Sequence, residues 1–128
     1  MTARSAPLSI TTDVLRHQAG MVHQVVKLNV EGVTQSESLI QPQPAGNCLN
    51  WVVGHLLAVY HQVLPLLGQQ PVIESSVIQR YNRGSAPMLD GTEALDISEL
   101  TAAWDECCMR VDAGLAGLSA ETLAAPAP

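Results

Sequence analysis

Residues 51–67, WVVGHLLAVYHQVLPLL, form the most apolar predicted helix of the chain. It is apolar around most of the circumference of a helix, and such a helix belongs in the middle of a bundle rather than on its surface. The helix is predicted to begin near Asn47, a good capping residue, to run to about Leu67 and to stop at Gly68. Pro65 lies in its final turn, which it can kink or tighten.

A second helix is predicted for residues 12–32. Its apolar positions step by four, three, four, four and three residues, which draws one stripe along one face, while Gln, His and Lys residues fill the other side. The stripe consists of Leu15, Ala19, Val22, Val26, Val30 and Val33. Thr11 or Thr12 can cap the start of this helix with a hydroxyl group.

A third helix is predicted to begin at Asp96 or Ser98, where Asp96 and Glu99 have the spacing of a capping box. Its core stripe consists of Leu100, Trp104, Cys107, Val111, Leu115 and Leu118. Residues 72–81 form either a short helix or an irregular crossing, and the tail after Glu121 reads as a linker. No strand alternation is visible. The predicted fold class is therefore all-α, with three long helices plus connecting segments in one domain, residues 1–128.

Charge and composition exclude several classes of function. The 128 residues carry a formal net charge of -6 with scattered Lys and Arg, whereas nucleic-acid binding requires clustered positive charge. No apolar run approaches the roughly 18–20 residues of a membrane span, and the N-terminus lacks the apolar region of a secretory signal. We therefore expect a cytoplasmic protein with no nucleic-acid or membrane partner, and three free thiols.

His55 is the leading candidate for a functional residue, since it lies in the middle of the most apolar helix. Burying an imidazole costs free energy unless both ring nitrogens find partners, and a metal ion is one such partner. The alternative is a core histidine bonded to a backbone carbonyl or a polar side chain. His17, His23 and His61 are predicted to be solvated or to lie at a rim, because no HxxxH or HExxH spacing occurs in the chain.

The cysteine and tryptophan residues are weaker candidates. Cys48 lies near a helix N-terminus, where the dipole favours a thiolate, or it packs as a small apolar residue. Cys107 and Cys108, on or beside the core stripe of the third helix, are predicted to be packing residues. Trp51 and Trp104 are predicted to be central core residues. Three acidic residues of the third helix are predicted to form a solvated face: Asp105, Glu106 and Asp112.

The run NCLNWVVGHLL, residues 47–57, resembles the second-helix signature of the DinB/YfiT-like superfamily. That signature is an Asn or Ser start, then Trp, two apolar residues, Gly, His and an apolar residue. QPQPAG at residues 41–46 is similar to the family's proline-containing turn, and Gly68 stands where the family often has Leu-Gly. YNRGS at residues 81–85 resembles its Y-x-x-G-S crossing, and residues 98–123 resemble its third helix and the following segment.

The resemblance implies an up-down-down-up four-helix bundle in which three histidines hold a divalent metal. The ligand from the second helix matches His55 here, and the other two form an HxxxH pair on the fourth helix. Characterised relatives include thiol-dependent transferases and isomerases, and others resemble metal-dependent hydrolases. The implied function is a zinc- or nickel-dependent enzyme acting on a small-molecule substrate.

The sequence ends at Pro128, before the position of the family's fourth helix. We therefore expect a C-terminally incomplete domain with an incomplete ligand set, inactive as an isolated chain. Its open apolar groove of about 800 Å² would cost on the order of 20 kcal/mol in lost burial, which predicts a homodimer. The alternative function is a non-catalytic helical dimerisation module, and a carrier of hydrophobic ligands is a third.

Overall fold

The computed structural model describes residues 11–43, 45–89 and 91–126, which form helices and turns without a strand. The helices are α1 (Thr12–Val30), α2 (Gln35–Ser38), α3 (Leu49–Val63), α4 (Ser75–Ile78), α5 (Ile97–Ala116) and α6 (Ala120–Ala124). Single 3₁₀ turns follow α3 at Leu64–Leu67 and α4 at Gln79–Tyr81. The all-α prediction, with three long helices plus connecting segments, is confirmed for the described residues.

The long helix α5 lies at the centre of the fold and packs against both α1 and α3. Its Trp104 is fully buried, as predicted for the middle of the core stripe. Near the start of α1, Arg16 contacts Asp112, whereas further along α1, His23 contacts Asp105. Because the contacts advance along α1 as they move back along α5, the two helices are antiparallel.

The helix α3 runs in the same direction as α5. The ring of Tyr60 lies 5.0 Å from that of Trp104. Further along both helices, Leu67 at the end of the 3₁₀ turn lies against Gly114, where an added Cβ would come within 2.6 Å of the Leu67 Cβ. The three long helices therefore run up, down and down in chain order.

The helix ends agree with the predicted boundaries to within two residues, except that α3 ends at Val63 and a 3₁₀ turn continues to the predicted end at Leu67. Two predictions about capping also differ from the structure. Thr11 caps α1 and Asp96 caps α5 through their side chains, but Glu99 does not return the second bond of a capping box. The cap of α3 is Cys48 and not Asn47, and its side chain makes no capping hydrogen bond. The start of α3 is therefore held by packing rather than by a polar cap.

One prediction about α1 is wrong. The side of the helix away from the predicted apolar stripe is not filled by Gln, His and Lys residues alone. Val14, Met21, Val25 and Leu28 also lie there, each exposed. Of the 19 residues of α1, only Val30 is buried. Four residues of the predicted stripe face the core, Leu15, Ala19, Val26 and Val30, but most of these are half-buried because α1 packs mainly against one neighbour, α5. Val22, also predicted for the stripe, is exposed.

The connecting segments contain more helix than predicted. The open question about residues 72–81 is answered by α4 and the 3₁₀ turn after it. The tail read as a linker from residue 121 continues as helix to Ala124, although α6 buries no residue. The predictions that concern the N-terminal residues 1–10 and Pro44 of the turn lie outside the described residues. Within the described ranges, no helix combines the length and hydropathy needed to cross a membrane.

Candidate functional site

The Trp-x-x-Gly-His motif of α3 lies directly against the crossing at residues 81–85. A Cβ atom at Gly54 would lie 2.0 Å from Cδ1 of Tyr81, so only glycine allows the fully buried Tyr81 ring to rest on the helix backbone. Three residues earlier, the indole Nε1 of Trp51 donates a hydrogen bond of 2.9 Å to Oγ of Ser85. The two segments that carry the family resemblance therefore contact each other.

This contact fixes the imidazole of His55. Its Nδ1 lies 2.8 Å from the backbone carbonyl oxygen of Tyr81. A carbonyl can only accept, so Nδ1 carries the proton, and in the neutral ring Nε2 is left with its lone pair. The half-buried ring also stacks on Trp51, with centroids 4.6 Å apart and planes 11° from parallel. Both the tautomer and the orientation of His55 are thus set by its surroundings.

A buried hydrogen-bond network holds the crossing in place beneath His55. The Tyr81 hydroxyl donates to Oδ1 of Asn50 and accepts from the backbone N–H of Leu95, each over 2.8 Å. Asn50, fully buried, donates from Nδ2 to the Leu95 carbonyl at 2.8 Å and reaches Ser38 Oγ at 3.5 Å. Because these buried groups satisfy one another, the network positions the Tyr81 carbonyl rigidly.

The site supplies one metal-ligating atom, Nε2 of His55, and not the complete set of ligands that a metal ion needs. No group of three or more His, Cys, Asp or Glu side chains among residues 11–43, 45–89 and 91–126 is arranged to hold a metal ion. Nε2 of His55 has no hydrogen-bond partner in that part of the chain and is chemically suited to a divalent metal. The prediction that His55 binds a metal therefore stays a prediction, and the other ligands would have to come from outside the described residues.

The other histidines do not converge on His55. His17 is exposed, as predicted. His23 and His61 lie at the rim but are half-buried and bonded: Nε2 of His23 pairs with Asp105 at 2.7 Å, and Nε2 of His61 lies 2.9 Å from Ser75 Oγ. Nδ1 of His61 is buried and has no hydrogen-bond partner among the residues that the structure describes.

The three cysteines are buried free thiols, as expected of packing residues. Cys48 stands at the N-terminus of α3, but with 1% exposure it offers no surface to a substrate. Burial raises the pKa of the Cys107 thiol to about 11 and that of Cys108 to about 12. Thiols with such pKa values are almost wholly protonated near neutral pH, so neither is an activated nucleophile.

One further prediction needs correction. Trp51 is half-buried and not a central core residue, because its indole spans from the His55 ring to Ser85 at the edge of the crossing. The acidic side chains of α5 are exposed, as predicted, and all three carboxylates also form ion pairs at the surface. Asp105 pairs with His23, Asp112 with Arg16 and Glu106 with Arg110.

A separate cavity of about 300 Å³ lies between α1 and α5, with Tyr60 of α3 at its side. Its polar lining consists of His23, Tyr60, Cys108 and Asp112. His55 is not part of the lining, so this cavity and the His55 site are different features. No sequence pattern pointed to it, because its lining comes from three helices.

Sequence reasoning identified His55 and the Tyr81–Ser85 crossing but missed what connects them, the Tyr81 carbonyl and the Asn50 network. Asn50 stood inside the motif and was the available signal, since a buried amide on an apolar helix must be hydrogen-bonded. Comparisons of the chain with family models, with curated proteins and with solved structures gave no significant match.

Proposed function

We propose that this chain is a DinB-like helical module and that His55 is one ligand of a divalent-metal site, zinc or nickel, in a metal-dependent enzyme of the thiol-dependent transferase or hydrolase type. The single observation that carries the proposal is the fixed tautomer of His55. Its Nδ1–H donates to the Tyr81 carbonyl, which leaves the Nε2 lone pair free.

This arrangement is the one that metal-binding histidines use in general. A ligating imidazole donates its second ring N–H to a carbonyl or carboxylate, which orients the ring and raises its basicity. Here the Asn50 network supports the carbonyl, and Trp51 supports the ring face. A purely structural histidine would use the same bond at Nδ1 and leave Nε2 to solvent, so metal binding at Nε2 distinguishes the two alternatives.

The directions of the long helices support the same family. Up, down and down in chain order are the first three directions of the up-down-down-up bundle that the resemblance implies. When bound, a divalent metal would act there as a Lewis acid that activates a water or thiol at neutral pH. The chain's own contribution is to hold one imidazole in a set orientation, and the isolated chain is expected to be inactive.

The proposal is tested by titrating the protein with cobalt(II), a spectroscopic substitute for zinc, and measuring visible absorption and bound metal after dialysis. Because the described residues supply only one ligand, a peptide with an HxxxH pair is added in excess to provide two more. We then expect metal bound to the unmodified protein and to His17→Ala, whose histidine is exposed and distant in sequence from the motif. His55→Ala should lose at least tenfold in affinity, as expected when a first ligand is removed. Equal binding by His55→Ala, or none by the unmodified protein, would contradict the proposal.

A second candidate function is a non-catalytic helical dimerisation module. It is favoured by apolar side chains that stand exposed on the long helices, five of them on α1, two on α3 and one on α5: Val14, Met21, Val22, Val25, Leu28, Val52, Val59 and Met109. Exposed apolar residues that gather on helix faces mark surfaces for protein association. Absence of metal binding together with a stable dimer would select this candidate.

A further inference from the structure

The least buried of the long helices is α1, and the apolar residues it leaves exposed are regularly spaced. Val14, Met21, Val25 and Leu28 are 46, 57, 56 and 70% exposed. Their separations of seven, four and three residues match the spacing of an apolar seam in paired helices. We call these four residues, with Gln18 in the remaining position, the outer stripe.

The outer stripe is distinct from the face that α1 buries against α5. At 100° per residue, the stripe is centred about 120° around the helix from Leu15, Ala19 and Val26, which pack against the core. Burying the outer stripe therefore does not compete with the contact between α1 and α5. Val22, 41% exposed, lies between the two faces and would extend the buried surface.

The spacing of the outer stripe is nearly symmetric about Met21. Counted from Met21, the other positions lie seven and three residues before it and four and seven residues after it. A stripe with this symmetry matches a copy of itself running in the opposite direction, as the interface of a two-fold dimer requires. Val14 would then lie against the partner's Leu28, and Met21 against the partner's Met21.

The residues that border the outer stripe also favour self-association. His17 and Gln24 flank it on one side, and Val22 and Asn29 on the other, and none of these carries a fixed charge. The charged residues Asp13, Arg16 and Lys27 lie further around the helix, and Arg16 is paired with Asp112 of α5. Covering the stripe therefore buries no fixed charge and brings no like charges together, in agreement with the depletion of charge at interface centres.

We propose that a second copy of this chain docks on the outer stripe, with the two α1 helices antiparallel across a two-fold axis at Met21. This inference rests on the second candidate function, whose interface it specifies. Pairing of α1 over its length buries on the order of 1,000 Å², the lower limit for a specific interface. The dimer is therefore expected to be reversible, with a dissociation constant in the micromolar range.

The test measures mass by analytical ultracentrifugation of the full chain between about 1 and 300 µM. Val25→Glu on the outer stripe should raise the dissociation constant at least tenfold. Val59→Glu, at a valine of α3 that is 45% exposed against 56% for Val25, should leave the dissociation constant unchanged. A dimer that Val59→Glu breaks and Val25→Glu does not would overturn the α1 interface and leave the dimerisation module standing. A monomer over the whole range would overturn both.

A cysteine cross-link keeps the test independent of any effect of the glutamates on folding. Met21→Cys should form a disulfide-linked dimer under mild oxidation, because position 21 meets itself across the axis. Met109→Cys, 63% exposed on α5, should stay monomeric. The native thiols are buried and do not interfere. Equal cross-linking of the two variants, or none at position 21, would contradict the proposed geometry.

Discussion

The helices α3 and α1 differ sharply in how they are held, although both are long and both pack on α5. Five residues of α3 are buried, including Asn50 and Gly54, and the side-chain amide of Asn50 is bonded to Tyr81 of the crossing and to Leu95. The helix α1 buries only Val30 and adds the ion pairs of Arg16 and His23 at its edge. Burial of side chains and buried hydrogen bonds therefore hold α3, whereas α1 depends mainly on contacts at the surface.

This difference separates two kinds of role within one small fold. A site that must orient an imidazole needs rigid support, and α3 with the crossing supplies it at His55. Surfaces that bind a partner tend to lie on the less stable parts of a structure. Helix α1 is such a part, because it buries few of its residues. Substitutions at matched positions of α3 and α1 test this separation of roles.

The largest effect is expected from Gly54→Ala. The new Cβ would lie 2.0 Å from the Tyr81 ring, so the ring or the helix must move. We expect a loss of about 3 kcal/mol in the free energy of unfolding, at the upper end of the cost of overpacking. Urea denaturation followed by circular dichroism measures it.

Gly20→Ala on α1 is the matched control for that substitution. No atom lies within 4 Å of the position that its Cβ would take, and Gly20 stands inside the helix. Alanine should therefore stabilise the protein by about 0.5–1 kcal/mol through helix propensity alone. If both alanines had the same effect, the described contrast in packing between α3 and α1 would be wrong.

Tyr81→Phe is expected to have the next largest effect. Removing the hydroxyl leaves Oδ1 of Asn50 and the N–H of Leu95 without their partner in a buried place, which costs about 1–3 kcal/mol. Tyr60→Phe is the matched control, because the Tyr60 hydroxyl has no hydrogen-bond partner among the described residues and should change stability by less than about 0.5 kcal/mol. A smaller loss for Tyr81→Phe than for Tyr60→Phe would show that the network does not hold the crossing.

The outcome at particular residues shows what a single sequence can predict. Helix α3 was predictable because an apolar segment of that length has few alternatives to a buried helix. The burial of Trp104 was predictable because the core stripe passes through this residue. The role of the Tyr81 carbonyl was not predictable, since every residue carries a backbone carbonyl and its direction depends on the path of the crossing. The outer stripe was not predicted because α1 has apolar residues on two faces. The prediction assigned one apolar stripe to the core and treated the rest of the helix, including Val14, Val25 and Leu28, as polar.

The smallest effect is expected at the adjacent thiols of α5, where α1 and α3 should differ in how readily they open. The effect is a difference in the rate of thiol modification rather than in stability. Cys108, 7% exposed, lines the cavity beside His23 and Ala19 of α1, whereas Cys107, 1% exposed, does not. Since α1 is the less firmly held helix, its local opening should uncover Cys108 at urea concentrations below the global transition. A thiol reagent should therefore modify Cys107→Ala, which keeps Cys108, before it modifies Cys108→Ala.

The pH profile of that reaction separates local opening from attack on the folded state. Only the thiolate reacts, and burial raises the pKa of Cys108 from its usual 9.0 to about 12 in the folded protein. If the folded state itself reacted, the rate would keep rising up to about pH 12, because the thiolate fraction would still be increasing. Reaction through an opened α1 exposes a thiol of ordinary pKa, so the rate should level off above about pH 9. A profile that rises beyond this point would place the reaction in the folded state and remove the evidence that α1 opens more readily than α3.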